Sequence, residues 1–311
     1  MPSVILLAIL VWCTGCSDQK KQLIFNSNSS NPTQTSDFNQ QSKTLQIAVI
    51  PAQSSSEQLA KLQDLAAYLE SVLPRKFDIQ IQKDYDTAVE LIVNEKVQIA
   101  YLSPLTYVKA KQLNPEIEPI LAPITKLTGR PWHTSMIIAN SAKIKSVEDL
   151  YNNRFGFVSK SSTTGFLIPS VELFQKLGIN PEQAFKEVQF LGSHNQAIAA
   201  LIAGKVDAIA IDQEAFLKAQ VENKLDQKKY VKIWESSPLP TDPIVVSTKL
   251  EPRLINGIKK ALLDAPEGII AVSGVETAGY TIVDDMNYER IRQLQKKLDD
   301  NTLNQITIIK N

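Results

Sequence analysis

The sequence predicts an α/β chain folded as two doubly wound units, on three observations. Short extended runs alternate with amphipathic helical patterns at strand–helix–strand spacing, which argues for mainly parallel sheets covered on both faces. The rhythm pauses near Ser135 and restarts, giving two units of roughly 90 to 100 residues with a crevice between them. Three strand-to-helix junctions share one composition: Leu102-Ser103-Pro104, Ser159 to Gly165, and Leu191-Gly192-Ser193-His194.

Each element has its own local reason. Leu45 to Ile50 alternates as a strand, Ser54 to Glu57 opens a helical pattern reaching Leu73, and Phe77 to Gln82 alternates again. Asp84-Tyr85-Asp86 leads into a helix through Val93, and Val97 to Leu102 is the third strand. Ser103-Pro104 then supplies a cap and a first-position proline for the next helix. Extended runs at Ile117 to Ile124 and Ser135 to Ala139 flank the loop Thr128-Gly129-Arg130-Pro131. The second unit reads as a short helix at 147–151, strand 154–158, helix 165–177, strand 187–191, helix 194–203, strand 206–211, helix 213–220 and strand 230–234. Pro238 to Pro243 is a rigid extended connector, Ile244 to Ser247 one more strand, and the remainder helical apart from Tyr280 to Val283.

Ser161-Ser162-Thr163-Thr164-Gly165 stands out because it joins a strand end, a hydroxyl cluster and a helix start. Pro169 fits only near a helix's first turn, which places the helix start at Thr164 or Gly165. Unpaired N–H groups and the positive end of the helix dipole, with the hydroxyls of Ser162, Thr163 and Thr164, make a seat for an anion without a formal cation. Plain helix capping is the competing reading. Ligands in such sheets sit at the carboxyl ends of strands, so three similar junctions facing one crevice point to a site. Asp212, at a strand end, reads either as an acceptor for the proton of a monoprotonated oxyanion or as a helix cap.

The 311 residues include 33 Lys plus Arg and 33 Asp plus Glu, so no basic surface for nucleic acid is expected. The two cysteines, Cys13 and Cys16, follow the apolar run Val4 to Trp12, which is too short to span a bilayer and suits a signal peptide. Cys13-Thr14-Gly15-Cys16 resembles the bacterial lipobox, although no Lys or Arg precedes the apolar run. Residues 1–15 are thus expected as a lipoprotein leader, Cys16 as the acylated residue and 16–43, rich in Ser, Asn, Gln and Thr, as a tether. A flexible tether of that length reaches on the order of 30 Å. No further cysteine exists to complete a metal site, and neither metal nor cofactor is expected.

At these junctions the chain resembles the phosphate/phosphite/phosphonate-binding proteins of ABC importers, the PhnD-like family. The carrying segments are Ile99 to Tyr107, Ser162 to Pro169, Gly192-Ser193-His194 with Gly204 to Ala208, and Ser237 to Pro243. The resemblance implies a two-lobed type II periplasmic-binding-protein fold with two crossings near Ser135 and Asp242. Lobe 1 is then 44–135 plus 242–311, and lobe 2 is 136–241. It implies capture of a small phosphorus oxyanion for delivery to a membrane permease; together with the lipobox, an extracytoplasmic, lipid-anchored protein is expected, and a monomer. Ser162, Thr163, Thr164 and His194 then hold the anion from lobe 2, while Tyr85, Tyr101 and Ser103 close from lobe 1, with Ser135 beside the first crossing. His133 stands where many relatives have Tyr. Asn195 follows His194 where some members have an acidic residue, so phosphate, phosphite or a small alkylphosphonate is expected rather than an amino-substituted ligand. A sensing protein reporting to a signalling partner is an alternative. A phosphoester hydrolase is another, disfavoured because there is no G-x-S-x-G elbow and only two histidines to serve as bases.

Overall fold

A computed structural model describes residues 44–309 apart from 54–55, 176, 267–268 and 270–274. The expected leader, tether and Cys16 lie outside the described residues. The first unit contains β1 (Thr44–Val49), α1 (Ser56–Val72), β2 (Lys76–Ile81), α2 (Tyr85–Val93), β3 (Ile99–Tyr101), α3 (Pro104–Leu113) and β4 (Ile117–Thr125). After β5 (Trp132–His133) the chain enters a second sheet through β6 (Ser135–Asn140), followed by β7 (Arg154–Phe157), α4 (Pro181–Ala184), β8 (Glu187–Phe190), α5 (His194–Ile202), β9 (Ala208–Asp212), α6 (Gln213–Val221) and β10 (Tyr230–Glu235). It returns by β11 (Leu239–Pro240) and β12 (Ile244–Ser247), and ends with α7 (Pro252–Leu263), β13 (Thr277–Ile282) and α8 (Glu289–Ile309).

One sheet has the order β13-β4-β12-β3-β1-β2 and the other β10-β6-β9-β7-β8. Four of the first sheet's six strands and four of the second's five run one way, as the βα rhythm predicts. In each sheet the strand carrying the chain in, β6 or β12, lies inside and runs against its neighbours. The crossings run side by side: β5 and β11 pair antiparallel, His133 opposite Leu239. Ser135, expected at the end of lobe 1, is the first residue of β6 and pairs with Asp212 in the second sheet.

Burial explains the order of the layers. Leu45, Ile47, Ala48 and Val49 of β1 are buried beside Leu62, Leu65 and Leu69 of α1, each large aliphatic worth roughly 1.5–3 kcal/mol when removed from water. The second sheet has a core of its own, where Phe155, Phe157, Phe174 and Phe185 form a ring cluster with centroids 4.8 to 6.1 Å apart.

The largest departure from expectation lies between β7 and α4. An α-helix over 165–177 is replaced by two widened, π-helical runs, Thr163–Leu167 and Pro169–Gln175. Ser162 is the cap, so Pro169 falls well inside the segment rather than in its first turn. Proline has no N–H for the carbonyl four residues back. That carbonyl, of Gly165, instead accepts from Val158 N (3.2 Å), while Leu167 N reaches the Ser162 carbonyl (3.1 Å). A Cβ on Gly165 would come within 2.5 Å of Val158 Cγ2, so the close seating of this turn on the end of β7 requires glycine.

Candidate functional site

The elements on the two sheets meet at the loop after β7. Ser103 caps α3, its Oγ accepting from Thr106 N (3.3 Å), and also donates to the Ser161 carbonyl (3.3 Å). Leu105 N, one of the first-turn amides of α3, donates to Thr163 Oγ1 (2.8 Å). The hydroxyl of Ser135 donates to the Thr164 carbonyl (2.6 Å), and Ser162 Oγ accepts from Gly165 N (3.1 Å). Ser161 to Thr164 are all buried. Capping and a polar seam between the sheets therefore coexist in one segment.

Tyr85 borders this seam. It is 1% exposed, and its hydroxyl, which lies close to Ser162, closes no hydrogen bond of good geometry. An unpaired buried hydroxyl is unfavourable by about 1–3 kcal/mol, so its place here calls for a partner. Asp242 and Asp212 are near enough to add to the burial that pushes its phenol well above the ordinary range.

Beside Tyr85 lies a cavity of about 20 Å³, roughly the room of one water, lined by residues that include Gln53, Tyr101, Thr125, His133, Asp212, Glu214 and Asp242. Burial, then the charge of Asp212, holds the Asp242 carboxyl well above the carboxylate range, opposed by a hydrogen bond from the Tyr101 hydroxyl. Glu214 is raised likewise, by burial and then by Asp212 and Asp242. Both side chains keep part of their surface open to the cavity, yet dense protein surrounds them, which disfavours the charged form. Burial also pushes His133 down to about 4, so it is neutral near neutral pH. Its Nε2 and the Gln53 Oε1 are buried without partners.

Asp212 does two jobs. One carboxyl oxygen caps α6 by accepting from Ala215 N (2.5 Å), while the other lies 3.2 Å from His194 Nε2. His194 Nδ1 accepts from Asp212 N (3.2 Å), which leaves the proton on Nε2, facing the carboxylate. Both ring nitrogens of His194 thus face Asp212, and burial lowers its pKa against the pull of that carboxylate. The backbone of His194 donates to the Ala52 carbonyl (3.1 Å) and Asn195 Nδ2 to the Gln53 carbonyl (3.0 Å), tying the start of α5 to the end of β1.

Of the sequence-derived candidates, Tyr101, His133 and Asp212 line the cavity; Tyr85, Ser103, Ser135, Ser162, Thr163 and Thr164 form the seam beside it. His194 stands behind Asp212. Gln53, Glu214 and Asp242 were not singled out. Gln53 follows the carboxyl end of β1, so the strand-end rule does point to it. Basic residues near the crevice are engaged elsewhere: Lys126 pairs with Glu276 and Arg130 stacks 4.6 Å over Trp132. Asp207 is held by Arg154 and Lys143, and Tyr107 donates to Asp285, both in structural roles.

Residues 47–288 match the family model for the phosphonate periplasmic substrate-binding protein of ABC transporters. The chain belongs to this family. Over 226 residues it is 25% identical to the phosphate-import protein PhnD of Mycolicibacterium smegmatis, covering 70% of each chain. It is 27% identical over 267 residues to the phosphonates-binding periplasmic protein of Escherichia coli, covering 82% of this chain and 77% of that one. Among solved structures, PhnD1 of Prochlorococcus marinus in complex with methylphosphonate superposes with a TM-score of 0.72 at 20% identity, covering 83% of this chain and 98% of the other. A binding-protein component of an ABC phosphonate transporter from Pseudomonas aeruginosa gives 0.72 at 22%, with 81% and 85% covered. These two likenesses establish the bilobed periplasmic-binding-protein fold. The family is one of solute-binding proteins that serve ABC transporters, not of enzymes.

Proposed function

We propose that this protein is an extracytoplasmic, lipid-anchored solute-binding protein that captures a small phosphorus oxyanion between lobes 44–135 plus 242–311 and 136–241 and hands it to a permease. The observation that carries the reading is the buried, unpartnered Tyr85 hydroxyl beside the Ser162 cap, at the seam where both sheets converge. An anion oxygen placed there accepts from Tyr85 and from the hydroxyls of Ser162 to Thr164, without needing a formal cation. His194, on this reading, orients Asp212, whose second oxygen it faces. Cys16 is the residue proposed to carry the lipid. Calorimetry with phosphate, phosphite and methylphosphonate tests it: Ser162→Ala weakens whichever of these binds the parent by about tenfold. Unchanged affinity removes the hydroxyl seat.

The acidic lining favours a second reading, in which the anion bears an aminoalkyl tail. Asp212, Glu214 and Asp242 converge on the cavity next to Tyr85, and an ammonium there draws the raised carboxyls back to their charged form. The doubt that Asn195 raises does not apply, because its side chain bonds the Gln53 carbonyl while the carboxylates come from α6 and the second crossing. A preference for 2-aminoethylphosphonate over ethylphosphonate of about tenfold or more is then expected. Equal affinities exclude the tail.

A further inference from the structure

Among the described bonds, Ser161 is the hydroxyl of the Ser161 to Thr164 cluster whose side-chain partners are charged. Its Oγ donates to Asp86 Oδ1 (2.5 Å) on α2 and accepts from Lys109 Nζ (2.9 Å) on α3, while its carbonyl accepts from Ser103 Oγ. Ser161 follows β7 of the second sheet, whereas both charged partners stand on helices of the first. Asp86 and Lys109 border a groove of about 320 Å³ lined by residues of α2 and α3, and neither lines the cavity. Nothing else in the described structure uses this triad: the seam is capped and the cavity is formed without it.

We infer that Asp86, Lys109 and Ser161 form a closure latch that sets the lifetime of the closed cleft without touching the ligand. The inference rests on the proposed anion-binding reading for its function, but not for its geometry. A hydroxyl that gives its proton to a carboxylate and receives one from an ammonium is polarised in a single direction, and both bonds are charge-assisted. They exist only while the sheets are together and are lost when the β5–β11 crossings hinge open. Stabilising the closed state slows release of any ligand by the same factor, because the latch makes no differential contact with one ligand over another. Residues of the seat instead change the ranking of ligands.

The test uses two variants of the full-length lipoprotein in detergent, Ser161→Ala and Asp86→Ala, the second at an exposed position. Release of inorganic phosphate and of methylphosphonate is followed by stopped flow. Both variants are expected to raise the off-rate about tenfold, by one common factor for the two anions, with the on-rate unchanged. Hydrogen exchange of the ligand-free protein supplies a readout that needs no anion. The amides of Leu105 and His194, which donate across the seam, are expected to exchange about tenfold faster in both variants, while those of α7 do not change. Unaltered exchange at Leu105 and His194, or off-rates that shift for one anion and not the other, overturns the latch. Failure of both anions to bind the parent overturns the proposed ligand class, while the exchange result still decides the latch.

Discussion

The seam around Ser161 to Thr164 and the cavity around Asp212, Glu214 and Asp242 adjoin each other and are built on opposite principles. In the seam, the bonds of Ser161 to Asp86 and Lys109 apart, the described bonds join neutral donors and acceptors, two of them helix caps, so its backbone groups are satisfied by the fold itself. In the cavity three carboxyls crowd together, two of them held well above their ordinary pKa, and Gln53 and His133 leave buried atoms unpaired. A satisfied polar seam holds the sheets in register at little cost, whereas an unsatisfied acidic pocket is unfavourable until something enters it. Tyr85 stands between them: fully packed like the seam, unpartnered like the cavity.

Breaking the scaffold under the seam gives the largest effect. Phe174→Ala empties the ring cluster that seats the π-helical segment on the second sheet, and about 3–5 kcal/mol of stability is expected to go with it in urea melts. Gly165→Ala is next: the added methyl pushes on Val158, and about 1–3 kcal/mol is lost through overpacking, with the hydroxyls displaced from Tyr85. Both act on the seam side only. The comparison is broken if either leaves the melting point unchanged.

The cavity responds to pH instead. A carboxyl whose pKa is raised on folding contributes stability in full below its unfolded value, near 4, and that contribution is lost as pH rises through the folded value. Glu214→Gln and Asp242→Asn are therefore expected to melt higher than the parent, by a margin that widens as pH rises. Parallel melting curves for parent and variants contradict the crowding of charge. His133 acts at the other end of the scale, since a histidine lowered to about 4 stabilises the fold above its unfolded value near 6.5 and loses this as pH falls between the two. His133→Gln removes that acid-side slope, as melts from pH 7 to pH 4 would show.

Much of the fold was legible because its signals are local. Asp84, Ser103, Ser193 and Asp212 each cap the helix that their position before an amphipathic run predicts. The π-helical run was not legible: a hydroxyl cap, apolar residues and a nearby proline read the same for either helix type, and the five-residue bonds, Leu167 N to the Ser162 carbonyl and Ile168 N to that of Thr163, are what distinguish it. Within the site, Tyr101 and Asp212 at strand ends were found, whereas Gln53, beyond the end of β1, was passed over. Glu214 was missed because an acid in a helix's first turn reads as a partner for the dipole, and Asp242 because two flanking prolines mark it as a connector. Their meaning arises only when the two crossings bring α6 and the return strand to one cavity.

Tyr85→Phe separates the two regions most directly. Removing a hydroxyl that the fold leaves unpaired is expected to leave the melting temperature unchanged or slightly higher, while calorimetry is expected to show binding of the proposed phosphorus oxyanion weakened by about tenfold. Lower stability with unchanged anion affinity would show that Tyr85 serves the packing alone and that the seat lies elsewhere.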